Sequence, residues 1–184
     1  MTFEEFLALP DDRWRFELMA GRLAQRAPGD LRHGMIASAL ALALRRSVLE
    51  SAYAGSVLIE TGFVVSATGE PDTVLVPAVA LAHAVAVAAN GEGDTASILR
   101  VIPALVAEIT APNQSPKELG ERARRWLAAG VQVVWVVWPA RHQVDVWRRT
   151  SEGDPAPIAY SAHENLEERD ILPDFSYPVA HLFI

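Results

Sequence analysis

The amino-acid sequence predicts an α/β fold with a mixed central sheet. The main observation is the hydrophobic pattern of the stretch 102–149, which indicates a buried strand, an amphipathic helix at 116–129 and two further strands. The segment 131–137 is almost continuously apolar, which is typical of a central strand covered on both faces. With 184 residues, of which 51% are hydrophobic and 21% charged, the chain has a globular composition, and we expect one domain over 1–184.

The N-terminal part adds a short helix and a hairpin. Thr2 and Glu5 have the spacing of a capping box, so a helix begins there, and it should end before the first proline. Residues 14–26 alternate in polarity on both sides of an Ala-Gly pair, as expected for two antiparallel strands joined by a tight turn. The alternation sets Glu17 on the face opposite the aromatic residues.

Hydrophobic periodicity predicts the remaining elements. Asp30 is a candidate N-cap for a long helix that runs to about residue 51. We expect one strand over 55–66 and another over 73–82, whereas 84–89 is ambiguous. Four more predicted segments are a flexible loop at 90–95, an exposed strand at 142–148, an edge strand at 158–160 and a closing segment at 171–183.

Composition excludes several classes of protein. There is no cysteine, which excludes disulfides and thiolate metal sites and fits a cytoplasmic location. No apolar run reaches the ~18 residues of a membrane span. The net charge of −7 argues against indiscriminate binding to nucleic acid. Arginines that could still line a local basic groove, or that more ordinarily form solvated faces and ion pairs, are Arg122, Arg124, Arg125, Arg148 and Arg149.

Glu108 is the one charged residue within its predicted apolar strand. A buried carboxylate is unfavourable by several kcal/mol unless a partner compensates it, so Glu108 is the first candidate for a functional group. Residue chemistry leaves two interpretations open. Glu108 either forms an ion pair with an arginine of the following helix, or joins Glu17 in a site for a hard cation such as Mg²⁺. Phosphate-binding glycine loops, zinc-protease motifs and a nucleophile elbow are absent from the sequence, and its histidines are dispersed.

Several motifs follow one another along the chain: EFLALPDD, FELMAGRL, RHG at a helix start, ETGFV, PDTVLVPAVALA, PALVAEITAP, RWLAAGVQVVWVVWP and ILPDFSYPVAHLF. In this order and spacing the chain resembles the Uma-two family of putative restriction endonucleases, which belongs to the PD-(D/E)xK nuclease superfamily. The resemblance covers nearly the whole chain. It implies a restriction-endonuclease-like fold, a mixed central sheet flanked by helices. It also implies hydrolysis of phosphodiester bonds in DNA with Mg²⁺ or Mn²⁺.

The resemblance also implies which residues form the active site, and two positions depart from the family pattern. Glu17 matches the early glutamate of the family, and Glu108 matches the glutamate on the buried strand, which makes it the expected metal ligand. The metal-binding aspartate falls on Ala78, which offers no oxygen, and the catalytic lysine falls on Arg122, which is too basic to act as a general base. Asp72 does not replace the lost ligand, because it lies in a predicted turn about 20 Å from Ala78 along an extended strand.

The sequence therefore predicts a nuclease-like protein with impaired catalysis, in which Glu17, Glu108 and Arg122 are the remaining catalytic positions. One alternative is an active Mg²⁺-dependent DNA endonuclease with a rearranged site, where Glu60 joins the two glutamates as a metal ligand and Arg122 stabilises the transition state. The other alternative is a non-enzymatic homodimer, an assembly that the resemblance also implies, with the helix at 33–51 as the candidate surface. DNA is an expected partner and a membrane is not.

Overall fold

The computed structural model describes residues 1–10, 16–26, 28–66, 69–84, 98–112, 114–150 and 153–183. The helices are α1 (Phe3–Leu7), α2 (Leu31–Glu50) and α3 (Pro116–Ala128), and a 3-10 helix spans Val179–Phe183. The strands are β1 (Phe16–Met19), β2 (Arg22–Gln25), β3 (Gly55–Ile59), β4 (Gly62–Val64), β5 (Val74–Leu75), β6 (Val79–His83), β7 (Ile98–Leu99), β8 (Leu105–Ile109), β9 (Val133–Trp138), β10 (Gln143–Arg148), β11 (Ile158–Ser161), β12 (Asn165–Glu168) and β13 (Leu172–Pro178).

The strands form two main sheets and a hairpin. The larger sheet has the order β11-β10-β9-β8-β6-β3, the smaller one has the order β2-β1-β5-β4-β7, and β12 pairs with β13. In the larger sheet β8 and β9 are parallel and are joined through α3, whereas the other neighbours are antiparallel. A parallel pair needs such a crossover, because a tight turn reverses the chain direction. The central sheet is therefore mixed, as the sequence predicts.

Apolar residues cover both faces of the larger sheet. On one face, the side chains of α2 and of the β12-β13 hairpin pack against alternate residues of the central strands, such as Leu105 and Ala107. On the other face, α3 and residues of the smaller sheet pack against the intervening positions, such as Val106 and Val134. This double coverage explains why β8 and β9 are apolar without alternation. It also places Glu108, two residues after Val106, on the face that carries α3.

Two strands predicted as continuous are each broken. The segment 55–66 divides into β3 and β4 at Glu60, whose φ of 51° is left-handed. The segment 73–82 divides into β5 and β6 around Pro77, which has no N–H to donate to a ladder. In both cases the chain passes from one sheet to the other. The two breaks lie side by side, since Glu60 N donates to Ala78 O at 3.3 Å.

Local signals for the helices are confirmed. Thr2 and Glu5 form the capping box of α1, and Asp30 caps α2 by accepting from His33 N. Ser115 caps α3. The predictions for 14–15, 85–89 and 90–95 lie outside the described residues, and β7 and β12 were not predicted. Among the described helices, none is long and apolar enough to cross a membrane.

Candidate functional site

Three elements bring two glutamates and one arginine together beside the larger sheet. β1 carries Glu17, β8 carries Glu108, and α3 carries Arg122. α3 packs Ala123 and Trp126 on the sheet, and this fixes the helix so that Arg122 reaches both carboxylates. The sequence-predicted catalytic positions therefore converge in space, although 105 residues separate Glu17 from Arg122.

The guanidinium of Arg122 is shared between the two carboxylates. Its Nη1 and Nη2 donate to Oε2 and Oε1 of Glu17, both at 2.7 Å, which is a bidentate pair. Its Nε donates to Oε1 of Glu108, also at 2.7 Å. Nη2 makes a further bond to the carbonyl oxygen of Val76 at 3.2 Å. The planar guanidinium of an arginine carries N–H donors in fixed directions, and these directions match the acceptors of both carboxylates. The single ammonium group of a lysine cannot make the same set of hydrogen bonds.

Each carboxylate has one more donor. Trp126 Nε1 donates to Glu108 Oε1 at 2.6 Å, and Val76 N donates to Glu17 Oε1 at 2.6 Å. Trp126 follows Arg122 by four residues, so both side chains leave α3 on the same face. Val76 lies in the break between β5 and β6, where its N–H is not used in either ladder. The glutamates are thus held by a tryptophan and a backbone amide as well as by the arginine.

The cluster is buried and, when both glutamates are ionised, carries one excess negative charge. Glu17 and Glu108 are each 7% exposed. Burial raises the pKa of the Glu108 carboxyl and repulsion from Glu17 adds to this, whereas the charge of Arg122 and the hydrogen bonds from Arg122 and Trp126 act in the opposite direction. Burial alone would lower the pKa of Arg122, but attraction to Glu108 and Glu17 outweighs it and the pKa is raised. The arginine therefore stays charged wherever the protein is folded.

A pocket of about 180 Å³ opens beside this cluster. Its wall includes Ala78, which is 3% exposed and contributes only a methyl group at the position where the resemblance leads one to expect an aspartate. Another part of the wall holds a second ion pair, between Arg26 Nη2 and Glu60 Oε2, with His33 Nε2 at 3.9 Å from Glu60 Oε1. The remaining lining residues are Glu17, Gln25, Pro28, Gly29, Asp30, Val76, Glu108, Ile109, Thr110, Ala111, Pro112, Gln114 and Arg122.

These residues do not fit a Mg²⁺ or Mn²⁺ ion. Both cations bind several oxygen ligands, whereas the acceptor atoms of Glu17 that face the cluster are already bonded to N–H groups. Ala78 supplies no oxygen, and a guanidinium stands between the two carboxylates that remain. Across the described residues, no group of three or more acidic or histidine side chains could hold a metal ion.

The other arginines do not form a basic groove. Arg124 pairs with Asp154 at 3.0 Å, and Arg148 pairs with the fully buried Glu168 at 2.7 Å. Arg125 Nη1 lies 3.3 Å from the sulfur of Met19, and Arg149 Nη1 donates to the carbonyl of Gly130. The more ordinary interpretation of this charge run, as ion pairs and solvated faces, is the one that the contacts favour.

Asp72 lies away from the pocket, as predicted. Its Oδ2 accepts from Phe3 N at 2.8 Å, and its carbonyl accepts from Gly21 N at 2.7 Å. Asp72 thus fastens the N-terminal helix to the hairpin turn, which is a structural role.

A family model described as "Putative restriction endonuclease", Uma2, matches residues 3–180. The chain belongs to the Uma2 family. A solved structure with the same fold is described as "a putative nuclease belonging to DUF820" from Anabaena variabilis ATCC 29413. It is 20% identical in sequence, the match covers 100% of this chain and 97% of that one, and the TM-score is 0.82. A comparison with curated proteins gave no match.

Membership of the Uma2 family and the nuclease-like fold confirm two predictions from the sequence. Arg122 pairs with Glu108, as required by the interpretation in which Glu108 forms an ion pair with an arginine of the following helix. Sequence reasoning did not find the donors Trp126 and Val76 or the pairing of Arg26 with Glu60. Only Trp126 had a usable signal, since it lies one helical turn after Arg122 on the buried face of an amphipathic helix.

Proposed function

We propose that this chain is a Uma2-family protein with a nuclease fold and no nuclease activity. The observation that carries the proposal is the position of Arg122, whose guanidinium binds both Glu17 and Glu108. The resemblance implies that carboxylates at these positions are the metal ligand and a catalytic group of a nuclease. Here they serve as partners of a buried arginine.

The electrostatics support loss of the metal. An arginine in this place brings a permanent positive charge where a divalent cation would need to approach the carboxylates. Displacing it would leave a buried guanidinium without its partners, which is unfavourable by several kcal/mol. Arg122 also cannot take a proton from an attacking water at physiological pH, because its pKa is raised further above its ordinary value.

An active enzyme with a rearranged site is the alternative. It would use Glu60 together with Glu17 and Glu108, and Glu60 does line the same pocket. Glu60 is, however, ion-paired with Arg26, and its side chain is 40% exposed. Metal binding by this set would require both arginines to release their carboxylates.

Calorimetric titration with Mg²⁺ and Mn²⁺ tests the proposal directly. We expect no heat of binding at millimolar metal and no nicking of supercoiled plasmid by the wild-type protein. Metal binding together with wild-type nicking would overturn the proposal and establish the rearranged enzyme.

A double variant tests the cause of the inactivity. Ala78→Asp with Arg122→Lys should bind Mn²⁺ and nick plasmid, because it restores both family residues. The matched control adds Glu108→Gln to this pair, and it should lose the activity again. If the folded double variant neither binds Mn²⁺ nor nicks plasmid, these two positions do not explain the inactivity.

DNA binding without cleavage is a separate part of the proposal. Beside the pocket lies a groove of about 280 Å³, and the two share lining residues such as His33 and Gln114. Its rim carries the exposed Arg141, whose Cζ lies 4.7 Å from the ring centre of Trp138. A gel shift with duplex DNA should weaken steeply between ~50 and ~200 mM salt if phosphates are bound. The absence of a shift at low salt would contradict DNA binding, and a shift that does not depend on salt would contradict binding through the phosphates.

The homodimer is the remaining candidate. The observation that favours it is a row of exposed apolar side chains on α2, which lies on the face of that helix away from the larger sheet. A homodimer does not depend on whether the pocket binds metal or DNA.

A further inference from the structure

One carboxylate oxygen of the buried cluster is open to the pocket of about 180 Å³. Both donors to Glu108, which are Arg122 Nε and Trp126 Nε1, bind its Oε1, and among the described residues nothing donates to its Oε2. In the same part of the chain no fully enclosed side-chain oxygen or nitrogen lacks a hydrogen bond, so Oε2 is not enclosed. Glu108 is only 7% exposed and lines the pocket, and Oε2 therefore faces that space.

A second open carboxylate oxygen lies on another part of the pocket wall. Glu60 uses its Oε2 for the ion pair with Arg26. Its Oε1 accepts no hydrogen bond from the residues that the structure describes, since His33 Nε2 lies 3.9 Å away. The pocket thus offers two acceptors that belong to two different glutamates.

Ala78 separates these two glutamates. In the ladder of β6 with β8, Val79 lies opposite Ala107, so the continuation of the ladder sets Ala78 beside Glu108. On its other side, the carbonyl oxygen of Ala78 accepts from Glu60 N. The backbones of the two glutamates are therefore about two strand spacings apart, or ~10 Å, with a methyl group between them.

The charge of the wall favours a cation with two positive charges. With its histidine neutral and its carboxylates ionised, the wall has a formal charge of −2. A Mg²⁺ ion has the matching charge but needs several oxygens at about 2.1 Å from one point. An ammonium group carries three N–H donors and can bind a single carboxylate. Two ammonium groups on a short apolar chain therefore match two separated acceptors better than one metal ion does. The charged residues of the wall are Glu17, Arg26, Asp30, Glu60, Glu108 and Arg122.

We propose that the pocket binds a short, doubly protonated aliphatic diamine, with one ammonium group on Glu108 Oε2 and the other on Glu60 Oε1. The methylene groups lie against the methyl group of Ala78, where an aspartate would set a third carboxylate beside them. The volume equals that of about six water molecules, which suits a ligand of about six non-hydrogen atoms such as 1,4-diaminobutane. The inference rests on the proposed loss of the metal, because a divalent ion in the pocket would take the same carboxylates.

Calorimetric titration with 1,4-diaminobutane at pH 8 measures the affinity. At this pH aliphatic amines are protonated, and ~100 mM NaCl screens the general attraction between a cation and a chain of net charge −7. We expect a dissociation constant below ~1 mM. Binding should be roughly tenfold weaker for n-butylamine, which has one charge, and weaker still for 1,4-butanediol, which has none.

The indole N–H signals in a two-dimensional NMR spectrum locate the ligand. Trp126 Nε1 donates to Glu108, so its signal should move during the titration with the dissociation constant found by calorimetry. Trp135 is the internal control, because its Nε1 donates at 2.7 Å to the buried Glu168, which does not line the pocket. The variants Trp126→Phe and Trp135→Phe each remove one signal and so assign it. Equal movement of the two signals would overturn the proposed site.

Glu60→Gln tests the second contact. The side chain of Glu60 is 40% exposed, so the variant should remain folded, and it should bind 1,4-diaminobutane roughly tenfold more weakly than the wild type does. The matched control is Glu121→Gln, which removes the same charge from an exposed residue outside the pocket and should leave the affinity unchanged. Circular dichroism checks the fold of both variants. Equal binding by the wild type and Glu60→Gln would contradict the proposal.

Two further outcomes separate this inference from the proposed function. If ~5 mM KCl moves the Trp126 signal as far as the diamine does, the pocket takes a monovalent metal ion and the diamine site is wrong. A wild-type protein that binds neither 1,4-diaminobutane nor Mn²⁺ overturns the inference and leaves the loss of nuclease activity intact. Binding of Mn²⁺ together with nicking of plasmid overturns both.

Discussion

Replacing Arg122 by methionine removes the charge that holds the site together while keeping most of the apolar stem. The variant loses all three hydrogen bonds that join the guanidinium to Glu17 and Glu108. The two carboxylates, each 7% exposed, then keep only one donor apiece, from Val76 and Trp126. Two like charges would face each other in a buried place without a counter-charge.

The expected loss of stability is large. Hydrogen bonds to charged groups contribute about 1.5–3 kcal/mol each, but water entry through the pocket and protonation of the carboxylates recover part of this. Breaking a buried ion pair by removing one partner typically costs about 3–5 kcal/mol, and we expect a value in that range for Arg122→Met. For a chain of this length the midpoint of thermal unfolding should fall by roughly 6–20 °C.

Urea unfolding followed by circular dichroism measures this loss, at pH 5 and at pH 8. The loss should be smaller at pH 5, because the unpaired carboxylates of the folded variant take up protons more readily than those of the unfolded chain. Arg124→Met is the control on the same helix. Its ion pair with Asp154 is solvent-exposed, so the variant should lie within about 1 kcal/mol of wild type. A loss below ~1 kcal/mol for Arg122→Met at pH 8 would refute the role given to the arginine.

Three further predictions concern Glu108, the buried Glu168 and the hairpin turn at Ala20. Burial raises the pKa of Glu108 above its ordinary value of 4.5, so protonation of Glu108 stabilises the fold below that value, and this contribution is lost as pH rises through the raised folded pKa. Glu108→Gln should therefore flatten the fall in the free energy of unfolding between pH 4 and pH 8, measured by urea titration. A pH dependence equal to that of the wild type would contradict this prediction. Arg148→Met should lower the free energy of unfolding by about 3–5 kcal/mol, because it removes the charged partner of the fully buried Glu168. The control Arg169→Met, at an exposed ion pair, should change the free energy of unfolding little. Equal effects of the two variants would contradict the role of the buried pair. Ala20→Gly should raise the free energy of unfolding by up to about 1 kcal/mol, because Ala20 has a left-handed φ of 49°, which glycine adopts without strain. Thermal melts measure this change. A lower melting point than that of the wild type would show that the turn is not strained.

The part of the fold from β8 to β10 could be predicted because several local signals agree there. Ser115 and Glu118 form a capping box, Pro116 stands at the first helical turn, and Gly130 follows the helix with a φ of 109°. The breaks in the two earlier strands were missed for different reasons. A left-handed glutamate such as Glu60 has no sequence signature, because its conformation is imposed by the two sheets it joins. Pro77 did carry a signal, since a proline within a predicted strand argues against a continuous ladder.

The candidate site was less predictable, because its contacts join residues far apart in sequence. Reasoning from residue types gave the pair of Glu108 with an arginine on the next helix, 14 residues away. It could not give the bidentate bond from Arg122 to Glu17, which depends on how the smaller sheet packs beside α3. The use of Val76 N as a donor depends on the break between β5 and β6, so missing the break also meant missing the donor.

Ala78 and Arg122, the two departures from the pattern that the resemblance implies, make physical sense together. An aspartate at position 78 would add a third carboxylate to Glu17 and Glu108, and a divalent cation could offset most of their charge. With Ala78 this group consists of Glu17 and Glu108, and the guanidinium of Arg122 reduces the charge of the ionised pair to −1 while it donates hydrogen bonds to both. A lysine could bring the same charge but only one compact ammonium group, so it would leave one carboxylate poorly paired. The residual negative charge is consistent with the raised pKa of Glu108. Introducing an aspartate at position 78 alone would add a third carboxylate while Arg122 still bonded the other two, so we expect metal binding only when both positions change.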